Sequence, residues 1–284
     1  MKRVVIWACA LLLFPGIWTG CGDDRFEASI YGGGETEERN EVRQWLYDNY
    51  VVRYNIEVIY AWKSMEVPMQ FNIIPPKQDT VISFMKMAHT AWIVPYLEIC
   101  GEEQMKPLFQ KQIQLIGSKG YNSTTQQATL GTAAGRKLLL FDVDSYNAGS
   151  RESVKNFVRI MHHEFGHMLN YYRAYPLSFK QITPTLYTPD WGNYVEEARE
   201  LGFVTPYAMA EPDEDFVETL AQYITDTPEE WAAVLAEAGD ASAIILRKTD
   251  MVRTYMEENW RVDIDVMRSH VTERINDCVA GNYK

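Results

Sequence analysis

Two histidines separated by one helical turn are the residues of this chain best suited to chemistry. They lie in the run His163-Glu164-Phe165-Gly166-His167, and side chains four residues apart share one face of an α-helix. Two imidazoles so arranged can bind one zinc ion from the same side. Glu164 would lie on the adjacent flank, where it can take a proton from a zinc-bound water that attacks a carbonyl. The spacing therefore predicts a zinc-dependent hydrolase.

A catalytic zinc ion needs a third protein ligand and keeps one open position. Metzincins have a glycine and a third histidine at the positions that Asn170 and Arg173 occupy here, so this chain lacks their third histidine ligand. An acidic cluster downstream offers the ligand instead, with Glu214 as the best candidate and Asp215 and Glu218 as alternatives. Glu214 and Glu218 are one helical turn apart, so the first can bind the metal while the second accepts an N–H from a ligand histidine.

Composition and charge narrow the class of protein. The chain has 284 residues, of which 46% are hydrophobic, and this suits one large domain or one domain in two lobes. Its formal charge is −12 without an offsetting basic run, so we expect no nucleic-acid partner. Cys100 and Cys278 lie in no C-x-x-C pair, which argues against a zinc–thiolate site; whether they form a disulfide stays open at this point.

The first twenty residues are typical of a lipoprotein signal peptide. A basic start precedes an apolar run over 4–17 that is too short to span a bilayer comfortably. The segment ends at Gly20-Cys21, a small residue followed by the cysteine that would be lipidated. Residues 21–40 are polar, acidic and glycine-rich, as in a flexible tether. We therefore predict an exported lipoprotein of the outer membrane, anchored through Cys21 on its periplasmic or cell-surface face.

Hydrophobic periodicity predicts mixed strands and helices up to about residue 175 and a mostly helical remainder. Short β-prone runs lie at 56–60 and 137–143. Helical spacing, N-caps and first-turn prolines predict helices over 42–50, 80–97, 103–116 and 151–173, from Pro212, from Thr227, and over 242–260 and 263–278. The pattern indicates an α+β domain over 41–284, with an N-terminal lobe at 41–175 and a C-terminal lobe at 176–284.

The pairing of His-Glu-x-x-His with the run Glu-Asp-Phe-Val-Glu at 214–218 resembles the gluzincin metallopeptidases. The preceding run over 202–207 is similar to the lethal-factor-type and Pro-Pro-endopeptidase-type members. In those members a tyrosine seven residues before the glutamate ligand lies near the metal, and Tyr207 has that spacing here. The resemblance implies that Tyr207 stabilises the oxyanion. It also implies a two-lobed zincin-like fold in which the strand at 137–143 is the edge strand that pairs with substrate.

The rest of the chain resembles the zinc metallohydrolase lipoproteins associated with outer-membrane nutrient importers of Gram-negative bacteria. The likeness is carried by four segments, at 54–56, 92–97, 130–135 and 162–167. It implies Zn²⁺ as cofactor, a membrane association through the lipid anchor, and a place in a nutrient-import complex. A peptide or protein is the expected substrate, and a tethered monomer is the expected state.

The sequence thus predicts a zinc metallopeptidase, and two other functions remain open. One is a non-catalytic lipoprotein that binds peptide or glycan for a nutrient-import system. The presence of Glu164 argues against it, because a protein that only binds has no need of a general base. The other is a zinc hydrolase that acts on a non-peptide amide.

Overall fold

The computed structural model describes residues 40–61, 73–121, 128–129, 131–134 and 137–284. The predicted signal peptide, the lipidation site Cys21 and the tether, apart from Asn40, lie outside the described residues. From Asn40 to Lys284 the chain forms one unit.

The strands of the described residues are β1 (Glu57–Ile59), β2 (Gln112–Leu115), β3 (Gly120–Tyr121), β4 (Ala128–Thr129), β5 (Gly131–Ala134) and β6 (Lys137–Leu140). Four of them form a mixed sheet in the order β1-β2-β6-β5, and β3 and β4 form a separate antiparallel pair. The pairs β1–β2 and β2–β6 are parallel, whereas β5 and β6 are antiparallel. The α+β class with a mixed sheet in the N-terminal part is therefore confirmed.

The role predicted for the strand at 137–143 is wrong. This segment forms β6, which lies inside the sheet with β2 on one side and β5 on the other. Leu138 and Leu140 join the main core, whereas Leu139 joins a small second core on the opposite face. A strand buried on both faces belongs in the interior of a sheet. Among the described strands β5 is last in the order, and it lies against the helix that carries the histidines.

The helix predicted over 103–116 is also wrong. Only Glu102–Met105 is helical there, and Gln112–Leu115 is the parallel strand β2. Pro107 follows the short helix closely, and proline has no N–H with which to continue a helical ladder. Ile113 and Leu115 are buried two residues apart, which is the period of a strand.

The other predicted helical segments are helical, with small shifts at their ends and with a π turn within each of the segments predicted at 42–50 and 80–97. The α-helices of the described residues are α1 (Glu41–Leu46), α2 (Val52–Tyr54), α3 (Gln78–Ala88), α4 (Val94–Cys100), α5 (Glu102–Met105), α6 (Arg151–Tyr172), α7 (Pro212–Thr225), α8 (Pro228–Ala238), α9 (Ser242–Trp260) and α10 (Ile264–Val279). Thr227 and Glu230 form the predicted capping box of α8. Across the described parts of the chain, no helix is both long and apolar enough to cross a membrane.

Two π-helical turns interrupt otherwise α-helical segments in the part of the chain that the structure describes. One, Tyr47–Val51, joins α1 to α2, and the other, His89–Ile93, joins α3 to α4. All five residues of the second turn are buried, and it packs against α6.

An aromatic cluster fixes α6 against this N-terminal part. The rings of Phe109 and Phe165 stack at 4.9 Å, and Trp92 and Tyr96 pack edge-on against Phe165. Phe165 is fully buried and belongs to the histidine motif itself, so the core sets the rotation of α6. Cys100 and Cys278 are both free thiols and form no disulfide.

Candidate metal centre

Helix α6 places the two motif histidines side by side. Ser150 caps its N-terminus by accepting a hydrogen bond from Ser153 N at 3.3 Å. One turn apart on the same face, His163 and His167 have ring centroids separated by 4.9 Å, and their Nε2 atoms are 3.2 Å apart. The predicted spacing therefore brings both imidazoles to one point.

Helix α7 brings the acidic cluster against these histidines. It begins at Pro212, as predicted, where the fixed φ of proline suits a first helical position. Gly166 of α6 faces Val217 of α7, and a Cβ at position 166 would lie 3.0 Å from Val217 Cγ1. The missing side chain permits a close approach of the two helices, so that Glu214 and Glu218 both reach His163.

Three donor atoms form a small triangle between the helices. Glu214 Oε2 lies 3.0 Å from His163 Nε2 and 3.3 Å from His167 Nε2, and the two nitrogens are 3.2 Å apart. Ligand atoms about 2.05 Å from a tetrahedral zinc ion are about 3.3 Å from one another, so the triangle matches one face of a zinc tetrahedron. Within the described residues, this is the group of His, Cys, Asp and Glu side chains close enough to hold a metal.

The hydrogen bonds of this cluster also favour a bound cation. Glu218 Oε1 lies 2.7 Å from His163 Nδ1, so this ring nitrogen donates to a carboxylate. In the neutral ring Nε2 then carries a lone pair that faces Glu214 Oε2. That oxygen is buried and has no hydrogen-bond partner among the described residues. A lone pair facing an unpartnered carboxylate oxygen is stabilised by a cation between them.

The charges around His163 attract a positive ion. Burial lowers the pKa of His163, but the carboxylates of Glu214 and Glu218 outweigh burial and raise it to about 10. Burial acts to raise the pKa of Glu218, yet His163 lowers it to about 2. Burial likewise acts to raise the pKa of Glu214, but His163 and His167 lower it well below its usual range. Both carboxylates are charged at neutral pH, and a zinc ion would take the place of the proton on His163.

Glu218 lies where a carboxylate can orient a metal-binding histidine. Its Oε1 accepts from His163 Nδ1, and its Oε2 accepts a hydrogen bond from Thr205 Oγ1 at 2.6 Å. Arg159 Nη1 lies 4.0 Å from the same Oε2 atom. The carboxylate is thus held from both sides, and the ring of His163 is fixed with it.

Asp215, an alternative third ligand, is occupied elsewhere. Its Oδ2 lies 2.7 Å from Lys248 Nζ and accepts a hydrogen bond from Tyr187 Oη at 2.8 Å. Both Asp215 and Lys248 are fully buried, and Lys248 also donates to the carbonyl of Gly202 at 2.9 Å. The triangle of donor atoms therefore includes Glu214 and leaves out Asp215.

Glu164 and Tyr207 both lie close to the triangle. Glu164 is buried, and its charge acts on His163 and on Tyr207. The ring of Tyr207 is centred 5.9 Å from that of His163. Burial raises the pKa of Tyr207, and the charges of Glu214, Glu164 and Glu218 raise it further, so the phenol keeps its proton at neutral pH. Tyr207 is therefore a hydrogen-bond donor beside the site.

His162, next to the motif, is a packing residue. Its Nδ1 lies 3.1 Å from Tyr96 Oη, and its Nε2 lies 3.2 Å from the carbonyl oxygen of Ala91. Burial lowers its pKa to about 4, although the carbonyl contact acts in the opposite direction. A neutral, fully buried imidazole with both nitrogens in contact has none left for a metal.

Three contributors to the site were not predicted from the sequence. Thr205 supports Glu218, Lys248 neutralises Asp215, and Trp191 packs edge-on against Tyr207 with ring centroids 5.2 Å apart. Of these three, only Thr205 could have been noticed in the sequence, because it lies two positions before Tyr207 in the run 202–207 that resembles the gluzincins.

Comparisons with known proteins point to the same chemistry. A solved structure titled "Crystal structure of a putative zinc-binding metallo-peptidase from Bacteroides caccae ATCC 43185" is similar, with a TM-score of 0.72 and 32% identity over 86% of this chain and 94% of that one. No curated protein matches. Residues 35–265 match the model of the family "Putative zinc-binding metallo-peptidase". This family and the solved structure both indicate Zn²⁺ as the cofactor, as predicted. Because the match spans more than half of the chain, the chain belongs to this family.

Proposed function

We propose that the chain is a gluzincin-type zinc metallopeptidase that hydrolyses peptide bonds. The observation that carries the proposal is the triangle of donor atoms from His163, His167 and Glu214, with sides of 3.0 to 3.3 Å. Membership of a zinc-binding metallopeptidase family supports the general activity. The gluzincin type is supported by the origin of the acidic ligand, a glutamate on a second helix one turn before Glu218.

A zinc ion held by these residues would polarise the scissile carbonyl and lower the pKa of the attacking water. Glu164 is the proposed general base, which takes the proton of that water and returns it to the leaving amine. Its burial at the flank of His163 supports this role, because a carboxylate shielded from bulk solvent acts strongly on nearby groups. Glu218 keeps His163 oriented, since it holds Nδ1 and leaves Nε2 for the metal.

Tyr207 is the proposed donor to the oxyanion that forms during attack. Its phenol keeps its proton beside three carboxylates, and its ring lies against His163 and Trp191. A donor already in place where negative charge develops lowers the barrier without reorganisation.

The function is tested with the full chain and its Glu164→Gln variant. Zinc content by mass spectrometry should be about one ion per chain in both, because Glu164 is not a proposed ligand. Cleavage of a peptide library should occur with the wild type and be lost in the variant. Glu258→Gln, an exposed change on α9, is the matched control and should cleave normally.

The alternative outcomes separate the rival functions. Retained zinc without cleavage by the wild type would sink the peptidase proposal and favour a non-peptide amide hydrolase or a binding lipoprotein. Zinc absent from both proteins would remove the metal centre altogether.

The role of Tyr207 has its own test. Tyr207→Phe should keep zinc and the substrate KM but lower kcat by about 10²- to 10³-fold, as when a single oxyanion donor is lost. Steady-state kinetics with one cleaved peptide measures this split. An unchanged kcat would exclude Tyr207 from oxyanion stabilisation.

We further propose that the protein acts as a monomer tethered to the outer membrane through lipidated Cys21 and serves a nutrient-import complex. Support comes from the basic, apolar and Gly20-Cys21 pattern of the first residues and from the resemblance of four segments. Metabolic labelling with a radioactive fatty acid should mark the wild type and leave Cys21→Ser unlabelled. Equal labelling of both proteins would contradict the anchor.

A further inference from the structure

Gln110 is a fully buried glutamine in the irregular segment just before β2. Its amide Nε2 donates a hydrogen bond to the main-chain carbonyl oxygen of Glu164 at 3.3 Å, from a position 54 residues earlier in the chain. Glu164 is the proposed general base. A buried side chain from outside α6 therefore contacts the backbone of the histidine motif at the residue that would transfer the proton.

The residue before Gln110 makes a second contact with the motif. Phe109 stacks on Phe165 with ring centroids 4.9 Å apart and an angle of 24° between the ring planes. Two consecutive residues of one segment thus contact two consecutive residues of α6. The stacked rings fix the rotation of the helix about its axis, whereas the Gln110 amide acts on one peptide group, the one between Glu164 and Phe165.

Stability does not explain why an amide is buried at this position. Gln110 Oε1 is buried and has no hydrogen-bond partner among the described residues, which costs free energy. A methionine would fill a similar volume without that cost. The carbonyl oxygen of Glu164 does not depend on the amide either, because inside an α-helix it accepts the N–H of Met168. Such a local cost is typical of residues that serve a functional site.

A second donor on a helical carbonyl oxygen controls the orientation of that peptide group. The oxygen has two lone pairs, so the carbonyl of Glu164 can accept both the helical N–H and the Gln110 amide. Its carbon is bonded to the Cα of Glu164, so the tilt of the peptide changes the direction in which the Glu164 side chain leaves the helix. A misplacement of about 1 Å near a reacting centre can lower the rate about a hundredfold.

We propose that Gln110 is a positioning residue, which keeps the Glu164 carboxylate in reach of the metal centre by fixing the peptide group between Glu164 and Phe165. Gln110 supplies none of the three donor atoms of the triangle, so the affinity for zinc should not depend on it. The inference rests on the proposed function, because that function gives Glu164 the role of general base.

Nuclear magnetic resonance of the full chain tests the contact itself. Glu164-Phe165 is the one place in the sequence where a glutamate precedes a phenylalanine. Labelling of glutamate with ¹³C at the main-chain carbonyl and of phenylalanine with ¹⁵N therefore gives one peak in a spectrum that correlates the two nuclei. Loss of a hydrogen bond to a carbonyl oxygen moves the signal of its carbon upfield, so the peak should move upfield in Gln110→Met.

Gln114→Met is the matched control, because it removes another buried glutamine amide with an unpartnered Oε1 among the described residues. Gln114 is in register with Leu139, whose side chain joins the second core on the face of the sheet away from the main core. The peak of the Glu164 carbonyl should stay in place in this variant. In urea, both methionine variants should be at least as stable as the wild type, since each loses an unpaired acceptor.

The affinity for acetohydroxamate tests the role of Gln110 without peptide hydrolysis. This probe chelates zinc and gives its hydroxyl proton to a neighbouring base, so its binding depends on where Glu164 lies. Gln110→Met should weaken binding about tenfold in the zinc-loaded wild type and have no further effect in Glu164→Gln. With a cleaved peptide, Gln110→Met should lower kcat about ten- to a hundredfold and leave KM and zinc content unchanged.

The outcomes separate this inference from the proposed function. A wild type that cleaves no peptide ends the peptidase proposal, whereas the carbonyl signal and the hydroxamate affinities still decide the role of Gln110. An unmoved signal, an unchanged hydroxamate affinity, or equal weakening with and without Glu164 would overturn the inference. If Gln110→Met does not fold, Gln110→Asn takes its place with the same expectations, because a side chain shorter by one methylene does not reach the carbonyl.

Discussion

Glu214 and Asp215 are consecutive residues of α7, yet the helix presents them to opposite surroundings. Glu214 faces two histidines and has a buried oxygen with no hydrogen-bond partner among the described residues, and its pKa is lowered well below the usual range. Asp215 faces Lys248 and Tyr187, and burial raises its pKa to about 6, although those two partners act against burial. One carboxylate is arranged to receive a metal ion, whereas the other already has a cation supplied by the protein.

The difference teaches how a metal site is kept in shape. The pair of Asp215 and Lys248 joins α7 to α9, and Lys248 also bonds the Gly202 carbonyl in the segment that leads to Tyr207. The ammonium group lies 3.7 Å from the centre of the Phe203 ring. The satisfied side of α7 therefore fixes the position of its unsatisfied side, which must keep its geometry before the metal arrives.

The largest effect is expected from a change that removes the cation paired with Asp215. Lys248→Met leaves the Asp215 charge buried without its cation, so the free energy of unfolding should fall by about 3–5 kcal/mol. Urea denaturation of the metal-free protein measures it. Adding Asp215→Asn should recover most of the loss, because no charge is then left unpaired. Lys119→Met, an exposed change, is the control. A single variant as stable as the wild type would show that the ion pair does not anchor α7.

The next largest effect is expected from a change of Glu214, the carboxylate that faces the two histidines. Glu214→Gln removes one of the four zinc ligands, which are three side chains and a water molecule. One quarter of the roughly 10–16 kcal/mol of zinc-binding free energy is about 3–4 kcal/mol, so the affinity for zinc should fall about a hundredfold to a thousandfold. The stability of the metal-free fold should also fall at neutral pH, because burial is outweighed by His163 and His167, which hold the pKa of Glu214 well below its usual range, and this charge pairing is lost. Chelator competition and urea denaturation report the two quantities. Glu211→Gln, the residue just before α7, is the matched control. Unchanged zinc affinity would exclude Glu214 as a ligand.

The smallest effect is expected from a change that moves α6 and α7 apart. Gly166→Ala places a methyl group about 3 Å from Val217, and overpacking costs about 1–3 kcal/mol, partly offset by the helix propensity of alanine. Zinc affinity should fall with stability, because the triangle spans α6 and α7. Gly166→Ala with Val217→Ala should restore both, and Gly192→Ala, which meets nothing, is the control. Lower stability with unchanged zinc affinity would show that the triangle tolerates helix separation.

Helical periodicity explains why the site was predictable in part. Spacings of four residues placed His163 beside His167, and Glu214 one turn before Glu218, whatever the rest of the chain did. The same rule also kept Asp215 as an alternative, because spacing within one helix does not say which face meets α6. That choice depends on Lys248, which comes from a distant helix and has no mark in the sequence.

The errors arose where local pattern and tertiary context disagree. The continuous apolar run of β6 gives no alternation, so the sequence predicts a strand but not its place between β2 and β5. In β2 the glutamine at 114 is buried, which blurs the period-two pattern of Ile113 and Leu115. Long-range supports such as Thr205 for Glu218 require the fold before they can be recognised.

The π turn at His89–Ile93 has a consequence for how this chain can change in length. Such a turn holds one residue more than an α-helical turn, so the deletion of a single residue there can be absorbed by a return to α-helical geometry. A single deletion at Val94 or Pro95, in the regular helix α4, would instead rotate everything after it by about 100° around the helix axis. Ala91 and Tyr96 contact the two ring nitrogens of His162, and that rotation would separate these partners. The position of the zinc motif thus constrains insertions and deletions in a segment far from it in sequence.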